Sequence, residues 1–357
     1  MTQESCNSSG MSETPSAPRL NDLDRRIVAA LQADPRASWA QLGAAVGVSE
    51  TTVLRRVQRL RASGSLEVVG AADPLRCGFG QPVLLTLRTV PGEALTLARY
   101  LAERADVRFV ALLTGSSDLL CELIVPDRSH LSRVLMIDLP KTGAVLSTTT
   151  EFVLKTFKTS DQWSRALLDE DARSLPARSG PAETHQVESG ANLDDMDTRL
   201  LAALSGDGRR TYADLSQELG LSETAIARRV TALTTSNRLY FVAMVDPAAL
   251  GFEFEAVFHL RVELSALESI ASTLAEMTQV RYVSATTGNS DLFCEAIFKD
   301  TVELYEFVTA SLGAVDGIRE VAVDIVLDTV KRAFRYPLFA TQKVLVKAPK
   351  RRAATTP

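Results

Sequence analysis

The sequence predicts an α+β protein made of two copies of one unit, in which a helical head precedes a segment of alternating strands and helices. Similar stretches recur at one spacing along the chain. Amphipathic helical patterns begin each copy, and strand and helix patterns alternate through the rest of it. The 357 residues, of which 46% are apolar, are enough for more than one hydrophobic core.

A single offset of 173 residues aligns the two halves of the chain without gaps. The offset superimposes LDRRIVAAL (23–31) on MDTRLLAAL (196–204), and TGSSDLLCE (114–122) on TGNSDLFCE (287–295). The alignment extends over roughly 135 residues. Solenoid repeats are much shorter, so the pattern indicates duplication of one whole unit.

Three short helices are predicted at the start of each copy. In copy one, Asn21 or Asp22 can cap the first helix, Ser38 and Gln41 form a capping box for the second, and Ser49 can cap the third. A glycine-containing turn separates the second and third helices, which is the pattern of a helix-turn-helix. The apolar segments LEVVGAAD (66–73) and LYFVAMVD (239–246) follow the third helices and are expected to form small strand wings.

The rest of copy one reads as strand, helix, strand, strand, helix, strand. This order is the ferredoxin-like arrangement, which leaves one face of its sheet uncovered by helices. The duplicated unit is expected to cover that face. The six segments are 82–90, 92–104, 107–115, 118–126, 128–139 and 144–158.

These patterns divide the chain into seven segments. We expect a disordered tail, a winged helix-turn-helix domain, a ferredoxin-like domain, a linker, a second winged helix-turn-helix, a second ferredoxin-like domain and a basic tail. The boundaries are 1–18, 19–73, 80–160, 161–191, 192–246, 253–335 and 341–357.

The third helix of each head is the candidate DNA-reading helix, because the second helix of a helix-turn-helix motif enters the major groove. Arginine can contact guanine or phosphate, and serine and threonine can reach either. The candidate DNA-binding residues are Ser49, Glu50, Thr51, Thr52, Arg55, Arg56 and Arg59 in copy one, and Ser222, Thr224, Ala225, Arg228 and Arg229 in copy two.

Charge favours the first head as the tighter DNA binder. Residues 48–62 carry a net charge of +3, whereas the matching residues 221–235 carry +1. Replacing Arg55 and Arg56 should therefore weaken DNA binding more than replacing Arg228 and Arg229. Arginines on a helix are more often a solvated face, and one arginine of each adjacent pair is expected to pair with an acid or to pack its stem on the head.

Composition excludes several other classes of protein. The net charge of −5 argues against a general polycation, so any nucleic-acid contact must be local. The four cysteines lack metal or disulfide spacing, which fits a reducing cytoplasm. The chain shows no secretory signal, membrane span, phosphate-binding loop or dinucleotide fingerprint. No cofactor, metal or catalytic residue is expected.

The head LDRRIVAALQADPRASWAQLGAAVGVSETTVLRRVQRLRASGSLE, followed by ADPLRCGFG, resembles the Lrp/AsnC (feast/famine) family of transcription regulators. The resemblance covers almost all of each copy. It implies a cytoplasmic regulator that binds double-stranded DNA through its helix-turn-helix heads. It also implies that the ferredoxin-like units are RAM domains, which bind an amino acid or related small molecule and self-associate into dimers or larger assemblies.

Family ligands bind between paired RAM domains, near the loop between the second and third strands. A glycine there allows a ligand carboxylate to approach backbone N–H groups, and an aspartate can hold an ammonium group. The family often has an aromatic residue before that aspartate, where this chain has serine. The corresponding residues are Thr114, Gly115, Ser116, Ser117, Asp118, Thr287, Gly288, Asn289, Ser290 and Asp291. The same pattern also fits a plain hairpin turn.

Two alternatives remain. Sirohaem decarboxylases resemble this family in fold and also occur as fused two-unit chains. The strands after each hinge supply Arg88, His259 and Arg261 for such a site, but no cluster of His, Arg and Tyr repeats in both copies. The other alternative is a ligand-sensing scaffold whose heads bind protein only.

Overall fold

The computed structural model describes residues 19–160, Trp163 and 193–332. The tail expected at 1–18 and the basic tail expected at 341–357 lie outside the described residues. Of the linker expected at 161–191, only Trp163 is described. Its indole is buried in the core of the first head and packs edge-to-face on Phe252, with ring centroids 6.0 Å apart.

Copy one follows the predicted order. Its head consists of α1 (Asp22–Ala33), α2 (Trp39–Val46), α3 (Glu50–Ala62) and β1 (Leu66–Ala72). A π-helical segment, Val134–Asp138, connects the last two helices of the ferredoxin-like part. That part consists of β2 (Gln81–Thr89), α4 (Ala94–Ala102), β3 (Val107–Thr114), β4 (Leu119–Val125), α5 (Arg128–Arg133), α6 (Leu139–Thr142) and β5 (Val145–Lys158).

Copy two repeats this order. Its head consists of α7 (Asp195–Gly206), α8 (Tyr212–Leu219), α9 (Glu223–Thr235) and β6 (Leu239–Val245). A π-helical segment, Phe307–Leu312, follows the last helix. The ferredoxin-like part consists of β7 (Phe254–Val262), α10 (Leu267–Glu276), β8 (Val280–Thr286), β9 (Leu292–Phe298), α11 (Thr301–Glu306) and β10 (Ile318–Lys331).

The predicted helix caps are present. Asn21 accepts a hydrogen bond from the backbone N–H of Asp24, and Ser49 accepts one from Thr52. Ser38 and Gln41 form both halves of a capping box. These bonds satisfy backbone N–H groups that the first turn of a helix leaves unpaired, and they fix where each helix begins.

The expected wing is formed between the copies and not within each head. Each head contributes one strand, and β1 pairs with β6 in antiparallel register, with Leu66 opposite Val245 and Ala72 opposite Leu239. Almost every residue of both strands is buried. A strand that is apolar on both faces has to be covered on both. The helices of the two heads cover one face, around residues such as Leu66 and Leu239, and residues of the other face, such as Val69 and Tyr240, form a separate buried cluster.

The two heads also hold each other through reciprocal arginines. Arg36 donates to the carbonyls of Gly208 and Arg210 at 3.1 and 3.0 Å, and Arg209 donates to the carbonyls of Pro35 and Ala37, both at 2.7 Å. The Arg209 guanidinium stacks on the Trp39 ring, 3.9 Å from its centroid. The strand pair and these contacts fix the orientation of one head relative to the other.

The two ferredoxin-like units form one closed barrel, with strand order β10-β3-β4-β2-β5-β8-β9-β7. The first part of β5 pairs with β2 of its own copy, and its last part pairs with β8 of the other copy. β10 does the same with β7 and β3. The uncovered sheet faces thus meet inside the barrel, around residues such as Leu84, Leu120 and Phe293.

Candidate nucleic-acid interface and ligand cleft

The helix-turn-helix turn of head one brings the backbones of α2 and α3 into contact. A Cβ added at Gly43 would lie 2.6 Å from the carbonyl oxygen of Val48, so only glycine fits there. Three hydroxyls follow this turn, and the Ser49 Oγ lies 3.0 Å from the Thr51 Oγ1 and 2.9 Å from the Thr52 Oγ1. The first turn of α3 therefore presents an ordered group of hydroxyls to solvent.

The sequence-predicted DNA-binding residues of copy one all lie on α3 or at its N-terminus. Ser49, Glu50, Thr51, Arg55 and Arg59 are exposed. Thr52 and Arg56 are half-buried.

Two arginines of α3, Arg56 and Arg59, bind an acidic residue of α1. Asp24 on α1 is 1% exposed and accepts from Arg56 Nη1 at 2.8 Å and from Arg59 Nη2 at 2.6 Å. Asn21 also accepts from Arg56, at 3.3 Å. The expectation that one arginine of the adjacent pair binds an acid is confirmed, and Arg55 is the member that points to solvent.

Head two repeats the arrangement with fewer cations. Ser222, Thr224 and Arg228 are exposed, whereas Ala225 and Arg229 are half-buried. Arg229 Nη1 donates to Asp194 at 2.7 Å and to Asp197 at 2.6 Å.

Two arginines of α3 have no counterpart in α9, because Ala232 and Thr234 occupy the positions of Arg59 and Arg61. The exposed surface of α9 is therefore less cationic than that of α3, as the charge count predicted.

Both predicted ligand loops are tight connections between barrel strands. Asp118 accepts from the backbone N–H of Thr89 at 2.6 Å and from its hydroxyl at 3.1 Å. Asp291 accepts from the backbone N–H of Val262 at 2.9 Å. Each carboxylate thus has a structural partner on the neighbouring strand of its own copy. Its role as an ammonium partner stays a prediction.

A carboxylate from the opposite copy clamps each loop, which the sequence analysis missed. Asp324 on β10 accepts from the backbone N–H and hydroxyl of Ser116 at 2.7 and 3.0 Å. Glu151 on β5 accepts from the same two groups of Ser290 at 3.1 and 2.8 Å. Glu151 and Asp324 correspond under the 173-residue offset, so the repeat itself contained the signal.

Gly115 makes room for one of these clamps. Its φ is 142°, a value that L side chains rarely adopt, and a Cβ there would overlap the carboxylate of Asp324. The loop glycine is therefore needed by the protein itself, whether or not a ligand also approaches it.

A cleft of about 560 Å³ lies between the two loops. Four of the predicted loop residues line it, namely Ser116, Ser117, Asn289 and Ser290. The other six, Thr114, Gly115, Asp118, Thr287, Gly288 and Asp291, are not among its lining residues.

Copy two supplies most of the chemistry of the cleft. His259 and Arg261 line it, and Arg261 Nε donates to the carbonyl of Asn289 at 2.8 Å. The buried Glu151 Oε2 has no hydrogen-bond partner among the described residues, and the His259 Nδ1 lies 3.7 Å from it. Arg88, the counterpart of Arg261, is exposed and does not line the cleft. The cleft can therefore offer a small polar ligand an acceptor, Glu151, and a cationic donor, Arg261.

Replacing Asp324 by Asn is expected to loosen the 114–118 loop and to lower the free energy of unfolding by about 1–2 kcal/mol, because two hydrogen bonds lose their charged acceptor. Hydrogen exchange measured by mass spectrometry should show faster exchange in this loop. Asp328→Asn, an exposed position on the same strand, is the matched control. Equal exchange in wild type and Asp324→Asn would contradict the clamp.

Two families of domain match this chain. Residues 20–61 and 193–234 match the AsnC-type helix-turn-helix domain, and residues 83–163 and 255–336 match the Lrp/AsnC ligand binding domain. The fold and these heads define a duplicated helix-turn-helix regulator with ferredoxin-like ligand-binding domains. Because the matches together span more than half of the chain, it belongs to the Lrp/AsnC family of transcription regulators.

The curated relatives match a segment of the chain that is about as long as one copy. An uncharacterised HTH-type transcriptional regulator of Pyrococcus furiosus is 33% identical over 141 residues, which is 39% of this chain and 95% of that protein. The HTH-type transcriptional regulator Ptr1 of Methanocaldococcus jannaschii is 31% identical over 147 residues, 41% of this chain and 99% of that protein.

A crystal structure of the siroheme decarboxylase NirDL resembles the chain over a longer span. It has a TM-score of 0.61 at 17% sequence identity, covering 88% of this chain and 93% of that one. At this identity the likeness shows a common fold. None of the helices in the described part of the chain has both the length and the apolar character of a membrane span.

Proposed function

We propose that this protein is a sequence-specific DNA-binding regulator of the Lrp/AsnC type, acting in the cytoplasm, in which head one provides most of the affinity for DNA. The observation that carries the proposal is the fixed pair of heads. The β1–β6 pairing and the Arg36 and Arg209 contacts hold α3 and α9 in one relative orientation. A rigid pair of reading helices suits an operator with two half-sites at a set spacing.

Arg55 is the arginine most suited to contact DNA in head one. Its side chain is exposed, whereas Arg56 and Arg59 both bind Asp24. Arg228 is its counterpart in head two and is exposed as well. The surrounding net charge of +3 against +1 favours head one for phosphate contact.

Replacing Arg55 by Ala is expected to weaken operator binding about tenfold or more, and replacing Arg228 by Ala is expected to weaken it less. The operator would first be obtained from a genome-wide binding profile of the wild-type protein. Binding would then be measured by gel shift at several salt concentrations, and Arg26→Ala, an exposed position on α1, would serve as control. Equal losses for Arg55→Ala and Arg228→Ala would contradict the asymmetry between the heads.

We further propose that an amino acid or related metabolite binds in the cleft between the loops and modulates DNA binding. The buried Glu151 oxygen without a hydrogen-bond partner and the nearby His259 and Arg261 support this site. A panel of amino acids tested by thermal shift would identify the effector.

The family resemblance also supports self-association into a dimer or a larger assembly, which sedimentation would measure.

The alternative of a sirohaem-decarboxylase-like enzyme has support from the shared fold of the decarboxylase structure and from His259 and Arg261 in the cleft. Loss of carboxyl groups from sirohaem incubated with the protein would favour it. If the protein were instead a scaffold whose heads bind protein only, the genome-wide binding profile would show no preferred DNA fragments.

A further inference from the structure

A second cavity, of about 200 Å³, lies between the strands of the heads and the barrel. Its lining includes Tyr240 and Met244 of β6 on one side and residues of β3, β4, β8 and β9 on the other. It shares no lining residue with the loop cleft. An occupant of this cavity would therefore touch both the head strands and the ligand-binding barrel.

Six aromatic residues line the cavity. The Tyr282 and Phe293 rings pack edge-to-face with centroids 6.0 Å apart, and the Arg281 guanidinium lies 5.2 Å from the centroid of Trp163. Rings at these positions favour an apolar or cationic guest. The aromatic lining residues are Phe109, Phe157, Trp163, Tyr240, Tyr282 and Phe293.

The charges in the cavity differ between the two copies. In copy one, Arg108 binds both carboxylate oxygens of Glu122, and its Nε donates at 2.7 Å. The equivalent pair in copy two is Arg281 and Glu295. Arg281 instead donates through Nη1 to Glu255, which stands where copy one has Pro82.

This exchange leaves Glu295 without the arginine hydrogen bonds that Glu122 has. Arg281 Nε is buried without a hydrogen-bond partner among the described residues, and Arg281 lowers the pKa of Glu295 through its charge alone. Three further cations line the cavity. Lys158 donates to the carbonyl of Met277 at 3.1 Å, Lys155 pairs with Glu268 at 2.6 Å, and Arg332 lies 3.7 Å from Asp246. The two arginines are hydrogen-bonded to Glu122 and Glu255, so Glu295 is a third carboxylate for which the described residues supply no hydrogen-bonded cation.

We propose that this cavity binds a small organic cation with an aromatic or apolar body, whose ammonium or amidinium group pairs with Glu295. The aromatic rings would hold the body, and a charge-assisted hydrogen bond would hold the head group. This site goes beyond the proposed effector cleft and does not depend on it. It lies against β6, so occupancy would affect the strand pair that sets the relative orientation of the heads.

The ionisation of Glu295 adds a dependence on pH. Burial raises the pKa of Glu295 to about 7, and Glu255 and Glu122 raise it further while Arg281 and Arg108 lower it. A bound cation needs the ionised form, so affinity should increase from pH 5 to pH 8.

The test uses the full chain and 2-phenylethylammonium as the probe. Trp39→Phe leaves Trp163 as the one remaining tryptophan, so its fluorescence reports on the cavity. At pH 8 we expect saturable binding, seen by fluorescence and by calorimetry. The neutral 2-phenylethanol and the anionic phenylacetate should bind at least about tenfold more weakly.

Two variants test whether binding of the probe depends on the Glu295 carboxylate. Glu295→Gln should weaken binding of the probe about tenfold or more. Glu255→Ala should also weaken it, because Arg281 is then free to pair with Glu295. Glu276→Gln, an exposed position on α10, is the control that should bind like wild type. Absence of saturable binding, equal binding of phenylacetate, or unchanged affinity in Glu295→Gln would each overturn the proposal.

Discussion

Replacing Asp24 by Asn is expected to lower the free energy of unfolding of head one by about 2–4 kcal/mol, the largest effect that we predict for a single substitution. Asp24 is 1% exposed and receives hydrogen bonds from both Arg56 and Arg59. The substitution removes the charged acceptor of two charge-assisted hydrogen bonds at a buried position, and Arg56, whose side chain is 25% exposed, is left with the 3.3 Å hydrogen bond to Asn21. Denaturant unfolding followed by circular dichroism would measure the loss.

Asp197→Asn is the matched comparison in head two. Asp197 corresponds to Asp24, but its arginine, Arg229, is also bound by Asp194, and Ala232 replaces the second arginine. The loss for Asp197→Asn should therefore be smaller. Equal losses for the two variants would mean that the Asp24 pair contributes no more than a surface ion pair does.

Replacing Glu295 by Gln is expected to stabilise the protein above pH 7 by about 2–3 kcal/mol and to leave it unchanged near pH 4.5. Burial raises the pKa of Glu295 from 4.5 to about 7 in the folded state. Between these values the folded state keeps a proton that the unfolded state releases, so wild-type stability falls as pH rises. Glutamine carries no such proton, and this part of the pH dependence should disappear.

The measurement is the difference in unfolding free energy between wild type and Glu295→Gln at several pH values from 4.5 to 8. Taking the difference removes the titration of other groups, including the histidines. Glu276→Gln should give a difference that stays flat with pH. A flat difference for Glu295→Gln as well would mean that the carboxylate is hydrated and titrates normally.

Local structure was predictable from local sequence. The caps at Asn21, Ser38 and Ser49 and the alternation of strands and helices follow from side chains within four or five residues of each other. The pairing of the two units was also predictable, because the duplication supplies the second sheet. The family resemblance, which the matching domains confirm, rests on these same stretches.

Contacts between distant segments were not predictable in the same way. The burial of β1 on both faces is visible in its apolar sequence, but nothing within the strand identifies β6 as its partner. The Asp324 and Glu151 clamps also join segments from different copies. No local sequence pattern around a carboxylate on a strand shows which loop it contacts. Only the 173-residue offset relates Glu151 to Asp324.

The roles of adjacent arginines needed three-dimensional geometry. Successive helix residues point about 100° apart, so one member of an Arg-Arg pair can face α1 while the other faces solvent. The sequence predicted this division but not its assignment, in which Arg56 and Arg229 bind acids. The glycine-aspartate loop was likewise ambiguous, since Asp118 and Asp291 accept backbone N–H groups as any hairpin acid can.

Closure of the barrel has a consequence for contacts between molecules. Each of the eight strands has a neighbour on both sides, since β10 pairs with both β7 and β3. Along most of their length, however, β5 and β10 have a neighbour on one side only, because the first part of each pairs within its own copy and the last part pairs with the other copy. Among the described residues, 145–151 and 318–324 therefore keep one strand edge with free N–H and C=O groups, and these two edges are where a strand from another chain could extend the barrel.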